Sequence, residues 1–412
     1  MNSQIDSSIR HGTVAFRRTN FAMFAAGVAT FGLLYCVQPL MPEFTRRFAV
    51  SAAQSALSLS LTSAVLAFSM LFAGPLSDAW GRKKLMTVSL LASAAIALLT
   101  AVAPTWHSFL ALRALLGLTL SGLPAVGMTY LSEEVHPESI GLGMGLYIGG
   151  NAAGGLGGRL IAGVVTDFCG WRLGLAAVGA VGAFAAWMFI QYLPASRGFV
   201  RRPLQLRVTA QRCALLFHDP GLRWLFAEGV VLLGAFVTVY NFIGYRLIAP
   251  PYSLSASVVG LIFGVYLVGI FSSSWIGHLA GRLGRRKVLW TMFVLQLAGL
   301  GLTMLAPLGL VILGIAVITF GFFGGHSIVS SWVGRRSGVW KAQASSLYLF
   351  AYYAGASVAG ASGGLFYADW GWNGVAGFVA ALLGLGLMFS WRLYYVTPLP
   401  LPQSPSTPAP VP

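Results

Sequence analysis

Acidic residues are scarce in this sequence, ten Asp and Glu among 412 residues against 26 Lys and Arg. Charged residues of either sign make up 9%, where a soluble domain carries about 25%. With 57% of the chain hydrophobic, a soluble fold could not cover its own apolar surface, so the solvent must be largely lipid. The three cysteines, Cys36, Cys169 and Cys213, show neither a disulfide framework nor a metal-ligand spacing. A phosphate-binding glycine loop, a nucleophile elbow and clustered His/Cys ligands are also missing, which disfavours the common enzyme constellations. A cleavable leader is not expected, because the first apolar run, Asn20 to Met41, is too long for one.

Apolar runs near twenty residues recur throughout, the length that spans a hydrocarbon core of about 30 Å. The pattern predicts an all-α membrane protein with twelve spans in two six-helix bundles. The first six are expected at 20–41, 54–76, 85–104, 108–131, 140–165 and 172–193, and the second six at 223–247, 256–279, 288–306, 308–332, 343–366 and 372–395. Residues 1–193 then form one bundle, 194–222 a cytoplasmic linker and 223–397 the second bundle, with a proline-rich, disordered tail over 398–412. The net charge of +16 is not a nucleic-acid footprint, because twenty of the 26 cations fall on termini and alternate connections. The opposite connections hold only Arg46, Arg47, Arg172 and Arg246. That asymmetry predicts both termini in the cytoplasm.

The chain also repeats itself. Gly74-Pro-Leu-Ser-Asp-Ala-Trp-Gly-Arg-Lys-Lys84 returns as Gly277-His-Leu-Ala-Gly-Arg-Leu-Gly-Arg-Arg-Lys287, 203 residues later. Gly170-Trp171 returns as Gly371-Trp372 at an offset of 201, and Tyr147 corresponds to Tyr348. With an even number of spans in each copy, the halves share one orientation and enclose a cavity between them.

These residues resemble the major facilitator superfamily, whose signature loop between spans two and three reads like 74–84. The likeness covers all twelve spans and not the tail. Arg113-Ala-Leu-Leu-Gly117 is similar to the family's fourth-helix motif, with leucine in place of its glutamine. Gly145, Gly154, Gly158 and Gly163 follow the fifth-helix spacing of proton-driven exporters, but Arg159 stands at its proline position and Ala162 at a closing glycine. Tyr35-Cys36-Val37-Gln38-Pro39 and the Gly-Arg-Leu-Ile segment resemble the YnfM-type inner-membrane transporters of the drug- and sugar-efflux branch. The resemblance implies a monomeric secondary transporter of the bacterial inner membrane. Its partners would be the lipid bilayer and a small-molecule substrate; it would use no cofactor, metal or nucleic acid, and a proton gradient would drive efflux by alternating access. Proton-linked uptake or facilitated diffusion is the alternative within that class, separated by the direction and gradient dependence of flux. A non-transporting sensor on the same fold is the alternative outside it, disfavoured by the Asp78 motif and an acid in span seven.

Candidate residues follow. Asp78, Gly81, Arg82 and Lys83 are expected to form a gate latch, Asp78 pairing with Arg82 and facing a helix N-terminus of the other half; the resemblance makes that helix the eleventh. Lys and Arg here also serve as a topology signal alone. Gly281 replaces the acid in the second copy, so the latch should be one-sided. Arg113 and Arg159 are intramembrane cations, each either facing the cavity or snorkelling to the interface. Arg113 is a proton-coupling candidate together with Glu228, the one acid within a span. Glu228 is either the proton site or a wetted first-turn residue. Gln38, Asn151, Arg159, Asn241, Tyr348 and Tyr352 are candidates for the cavity wall, with Tyr35, Tyr240, His326 and Tyr353 as further polar positions. Gly150, Gly154 and Gly158, with Gly157, make a small-residue stripe for close helix packing. Glu133, Glu134 and Glu138 are expected in a solvated loop.

Overall fold

A computed structural model of the chain describes residues 9–196, 199, 201, 203 and 206–397. The proline-rich segment expected to be disordered lies outside the described residues. Fifteen α-helices carry the described chain: α1 (Val14–Tyr35), α2 (Met41–Phe48), α3 (Ala52–Trp80), α4 (Arg82–Ala101), α5 (Trp106–Leu120), α6 (Pro124–Glu134), α7 (Ile140–Cys169), α8 (Trp171–Tyr192), α9 (Leu206–Leu216), α10 (Pro220–Ile248), α11 (Ala256–Ile262), α12 (Leu267–Leu283), α13 (Arg285–Leu302), α14 (Leu308–Arg336) and α15 (Lys341–Tyr395). Eight helical stretches are long and apolar enough to cross a membrane, and the last of them runs through both arms of α15. Together with α5–α6, α7 and α13 they make twelve crossings.

The breaks have local causes. Ser51 and Thr105 each close a capping box with the residue three positions on, starting α3 and α5. The fourth crossing divides at Ser121-Gly122-Leu123, because Pro124 opens α6 and cannot continue α5. The first bends at Cys36–Val37, followed by a short 3-10 turn, Gln38–Leu40, built on Pro39. The eighth passes through a 3-10 segment, Phe263–Tyr266, so it is less regular than the apolar run suggested.

Backbone geometry carries the sequence repeat. Gly81 ends α3 at φ 100° and ψ 138°, and Gly284 ends α12 at φ 96° and ψ 132°. A side chain at either position would be strained, which is why glycine marks both motifs. Gly170 and Gly371 also take positive φ and start the last crossing of each half. The Trp after each is buried. Trp171 joins Phe44, Phe48 and Phe109 in an aromatic cluster, and Trp372 lies 5.8 Å below the Arg246 guanidinium.

The exterior is apolar and the interior is not. Trp187 (52% exposed) and Phe271 (62%) point outward, while Ser58, Thr62, Ser93, Thr238, Asn241 and Gln296 are buried. This inversion suits a lipid solvent and makes the chain a multi-pass membrane protein. The two halves meet along a seam of α2, α3, α7 and the Gln38–Leu40 turn against α10, α11 and α15. One end of the molecule carries the cation-rich turns before α4 and α13, and is called the basic end here. Close backbone approaches across the seam concentrate toward the far end, where Gly163 faces the Ala256 carbonyl and Gly364 abuts Ala53.

Candidate functional site

The site grows from α7. Its glycines bring it against α1: Gly150 meets the backbone of Phe24, Gly154 that of Val28, and Gly158 that of Gly32, where an added Cβ would sit 2.6 Å from the Gly32 Cα. Gly157, also on the expected stripe, faces open space and takes no part. Asn151 packs at the same interface, its amide beside Gly27 and its Oδ1 buried without a partner.

Close packing of α7 on α1 sets Arg159 into the seam, where it is 1% exposed. Its Nε donates to Gln38 Oε1 at 2.7 Å and its Nη1 to the Gly155 carbonyl at 2.6 Å. The Gln38 amide donates in turn to Asn241 Oδ1 of α10 at 2.8 Å, so a polar chain crosses from one half to the other. Four rings surround the guanidinium, Tyr35 at 4.8 Å, Tyr266 at 5.0 Å, Tyr240 at 5.4 Å and Phe263 at 5.9 Å. Three of them belong to the second half. Such faces attract a cation, by about 2 kcal/mol each when desolvated.

Toward the basic end an aromatic layer follows. His326 Nδ1 lies 2.8 Å from the Tyr348 hydroxyl, and the His326 ring packs against Tyr352 with centroids 4.7 Å apart. Glu228 stands behind Tyr348, whose ring covers Gly229. The carboxyl is fully buried; Oε1 accepts a 2.7 Å hydrogen bond from Ser390, and Oε2 has no partner. Because α10 begins at Pro220, Glu228 sits about two turns inside it, and the wetted first-turn alternative falls.

Arg113 is placed differently from its expectation. Neither it (2% exposed) nor Arg159 snorkels. Arg113 donates from Nε to the Ser58 carbonyl at 2.8 Å, from Nη1 to Leu33 at 3.0 Å and from Nη2 to Leu34 at 2.8 Å. Those last two carbonyls are left orphaned where α1 stops at Tyr35. The guanidinium therefore caps a helix end, and its hydrogen bonds go to no acid that could exchange a proton.

At the basic end Arg82 is the hub. Its Nη2 lies 2.5 Å from Asp78 Oδ1 and 2.8 Å from Glu133 Oε1, Nε reaches Glu133 Oε2 at 3.1 Å, and Nη1 bonds the Ser77 hydroxyl. Glu133, read from the sequence as a solvated loop acid, is part of this cluster. Lys83 donates to the Leu193 carbonyl at 2.5 Å. All of these contacts stay within the first half, with Gly81 supplying the turn that aims them.

Sequence reasoning missed Asp167. Its two carboxylate oxygens accept the Ala256 N–H at 3.2 Å and the Ser257 N–H at 2.7 Å, capping α11 across the seam. Burial opposes the charged form, yet the hydroxyls of Ser257 and Ser255 and those two N–H groups hold the carboxyl below its ordinary value. A signal was available. An acid in the last turn of a helix opposes the dipole of that helix, which points to service elsewhere.

Known proteins share this architecture. A family model described as Major Facilitator Superfamily matches residues 22–252 and 231–411. The chain is 47% identical over 385 residues to the uncharacterized MFS-type transporter YybF of Bacillus subtilis (strain 168), covering 93% of this chain and 95% of that protein. It is 47% identical over 392 residues to the inner membrane transport protein YnfM of Escherichia coli (strain K12), covering 95% of this chain and 94% of YnfM. Among solved structures, an inward-facing, unoccupied bacterial homolog of the human lysosomal transporter Spinster superposes with a TM-score of 0.74 at 14% identity, over 92% of this chain and 95% of that one. A point mutant of the nucleoside transporter NupG does so with 0.71 at 15% identity, over 91% and 99%. With a match in each half, and relatives nearly half identical over almost their whole length, the chain belongs to the major facilitator superfamily of membrane transporters.

Proposed function

We propose that the protein exports a small molecule across the bacterial inner membrane in exchange for protons, by rocking of its two bundles about the central seam. In this reading residues 1–193 and 223–397 are the moving bodies, joined by 194–222, and both termini face the cytoplasm with the basic end. The observation that carries it is Glu228, a fully buried carboxyl with one oxygen unpartnered, set behind the Tyr348–His326 pair. A lone carboxyl sealed from water in one state and wetted in the other is a proton carrier coupled to opening. The seam supports the alternation. Its cross-half hydrogen bonds, Gln38 to Asn241, Thr45 to Tyr245 and Asp167 to α11, lie toward the far end. Among the described residues the ion pairs of the Asp78–Arg82–Glu133 cluster at the basic end stay within its own half, and Arg82 also lies over the Phe199 ring of the linker. That is the arrangement of an inward-facing state, with the Asp78 latch disengaged and its partner helix, the α15 N-terminal arm, awaiting closure.

The test is purified protein in liposomes carrying an internal pH dye, given a proton gradient and a panel of sugars, organic acids and cationic drugs one at a time. A solute-dependent proton flux out of step with the imposed leak establishes coupling, and its sign separates antiport from symport. Glu228→Gln should abolish gradient-driven flux while solute exchange persists. Undiminished proton-driven transport in that variant rules Glu228 out as carrier.

A further inference from the structure

Among the described residues the cation in the seam has no counter-ion. Asp78 and Glu133 serve Arg82, Asp219 pairs with Arg336, Asp167 caps α11 and Glu228 bonds Ser390. Among the described residues no carboxylate lies within ion-pair distance of Arg159. The other buried guanidinium, Arg113, is held by three carbonyls, two of them at the C-terminal end of α1, where the dipole offsets its charge. Arg159 has no such sink. Its partners are an amide and one carbonyl, with ring faces around them. Withdrawing a cation from water onto neutral groups alone costs several kcal/mol, and a purely structural anchor at this position could be apolar at lower cost.

The cage is also divided. Arg159, Gln38 and Tyr35 belong to the first half, whereas Asn241, Tyr240, Phe263 and Tyr266 belong to the second. Separation of the halves at the far end would leave the guanidinium with Gln38, the Gly155 carbonyl and one ring, and strip the other three rings from it. A ligand in the opened seam meets a forked cation, a primary amide and a surface of aromatic rings. The chemistry that fits is a carboxylate on a flat, apolar body: the carboxylate takes the fork in bidentate fashion and the body replaces the lost ring faces.

We infer that Arg159 is the recognition element for a small organic monoanion, bound between the two halves by the guanidinium, Gln38 and the tyrosine cage. This rests on the alternating-access reading, which supplies the opening that a buried site requires. The bound anion neutralises the cation at the point where the seam closes, so the cage shuts more readily when loaded.

The experiment uses the full-length protein in detergent and follows thermal unfolding with benzoate, its neutral isostere benzamide, and benzylammonium, at neutral pH. Benzoate should stabilise saturably. Benzamide should bind at least about tenfold more weakly, the worth of one charge-assisted contact. Arg159→Gln should erase the preference for benzoate, and Arg159→Lys should keep part of it. Equal response to benzamide or to benzylammonium, silence toward benzoate, or a folded Arg159→Gln variant with the full benzoate response overturns the proposal. If Arg159→Gln does not fold, the comparison of the three ligands on unmodified protein decides alone. Transport of a neutral solute with no benzoate response would overturn the anion site and leave the transporter reading standing. A benzoate response in protein that moves no solute supports the site and overturns transport.

Discussion

Replacing Arg113 by Met removes a helix cap while keeping an apolar side chain of similar length, and the structure sets the size of the loss. Three carbonyls, those of Leu33, Leu34 and Ser58, would each lose a charged donor 2.8 to 3.0 Å away. A buried acceptor left without its partner costs about 1–3 kcal/mol in a soluble protein. Polar contacts between membrane helices average nearer 0.6 kcal/mol, because the unfolded chain in lipid also finds partners. Ser58 keeps a donor in Thr62 Oγ1 and Leu33 one in Cys36 Sγ, so the three contacts together give a loss of about 2–3 kcal/mol, or a fall of roughly 2–4 °C in apparent melting temperature for a chain of this size. Arg113→Lys retains the charge near the α1 terminus and should fall between, since one ammonium cannot serve three carbonyls on two helices in the same planar geometry. Melting of purified protein in one detergent, paired with the pH dependence of transport by the surviving fraction, is the assay. A variant that melts within a degree of the parent refutes the capping argument. A shifted pH profile with unchanged stability would return Arg113 to proton coupling.

Other perturbations follow from the same packing. Gly158→Ala should destabilise by about 1–3 kcal/mol, because its Cβ would drive into Gly32 of α1, whereas Gly157→Ala should be neutral; equal melting temperatures would refute the packing account. Asp167→Asn weakens the cap on α11 and should raise the far-end-open population about two- to fivefold, read by spin-label distances across the seam. Because this carboxyl is held below its ordinary 3.8, its contribution is complete above that value and disappears as the pH falls through the lower, bound one, so seam closure should be flat over roughly pH 5–8. Asp78→Asn should slow turnover and shift the conformational balance without loss of fold, and Glu133→Gln should act in the same direction through Arg82; unchanged turnover in both would detach the cluster from gating.

Much of this was legible in the one-dimensional pattern, for identifiable reasons. Lipid as solvent forces long apolar segments, so the spans and their number appear in the hydropathy. Duplication with parallel orientation leaves paired motifs, and the positive-φ turns at Gly81 and Gly284 need glycine wherever they occur. The glycines of α7 announce a close helix contact through their spacing, although the pattern admitted Gly157 to a face that the structure leaves open.

What tertiary structure alone decided is where each polar group is used. Arg113 and Arg159 look alike in a hydropathy plot, two cations inside apolar runs. One caps the end of α1 and the other sits, among the described residues, without a counter-ion in a ring cage on the seam, a difference set by residues 55 to 124 positions away in the chain. Glu133 reads as a solvated loop acid and Asp167 carries no reading at all, yet one completes the Arg82 cluster and the other bridges the halves. Local sequence determines helices, breaks and solvent, because those depend on neighbours within a few residues. Partners of a buried charge depend on which helices the packing brings together, and no local pattern encodes that.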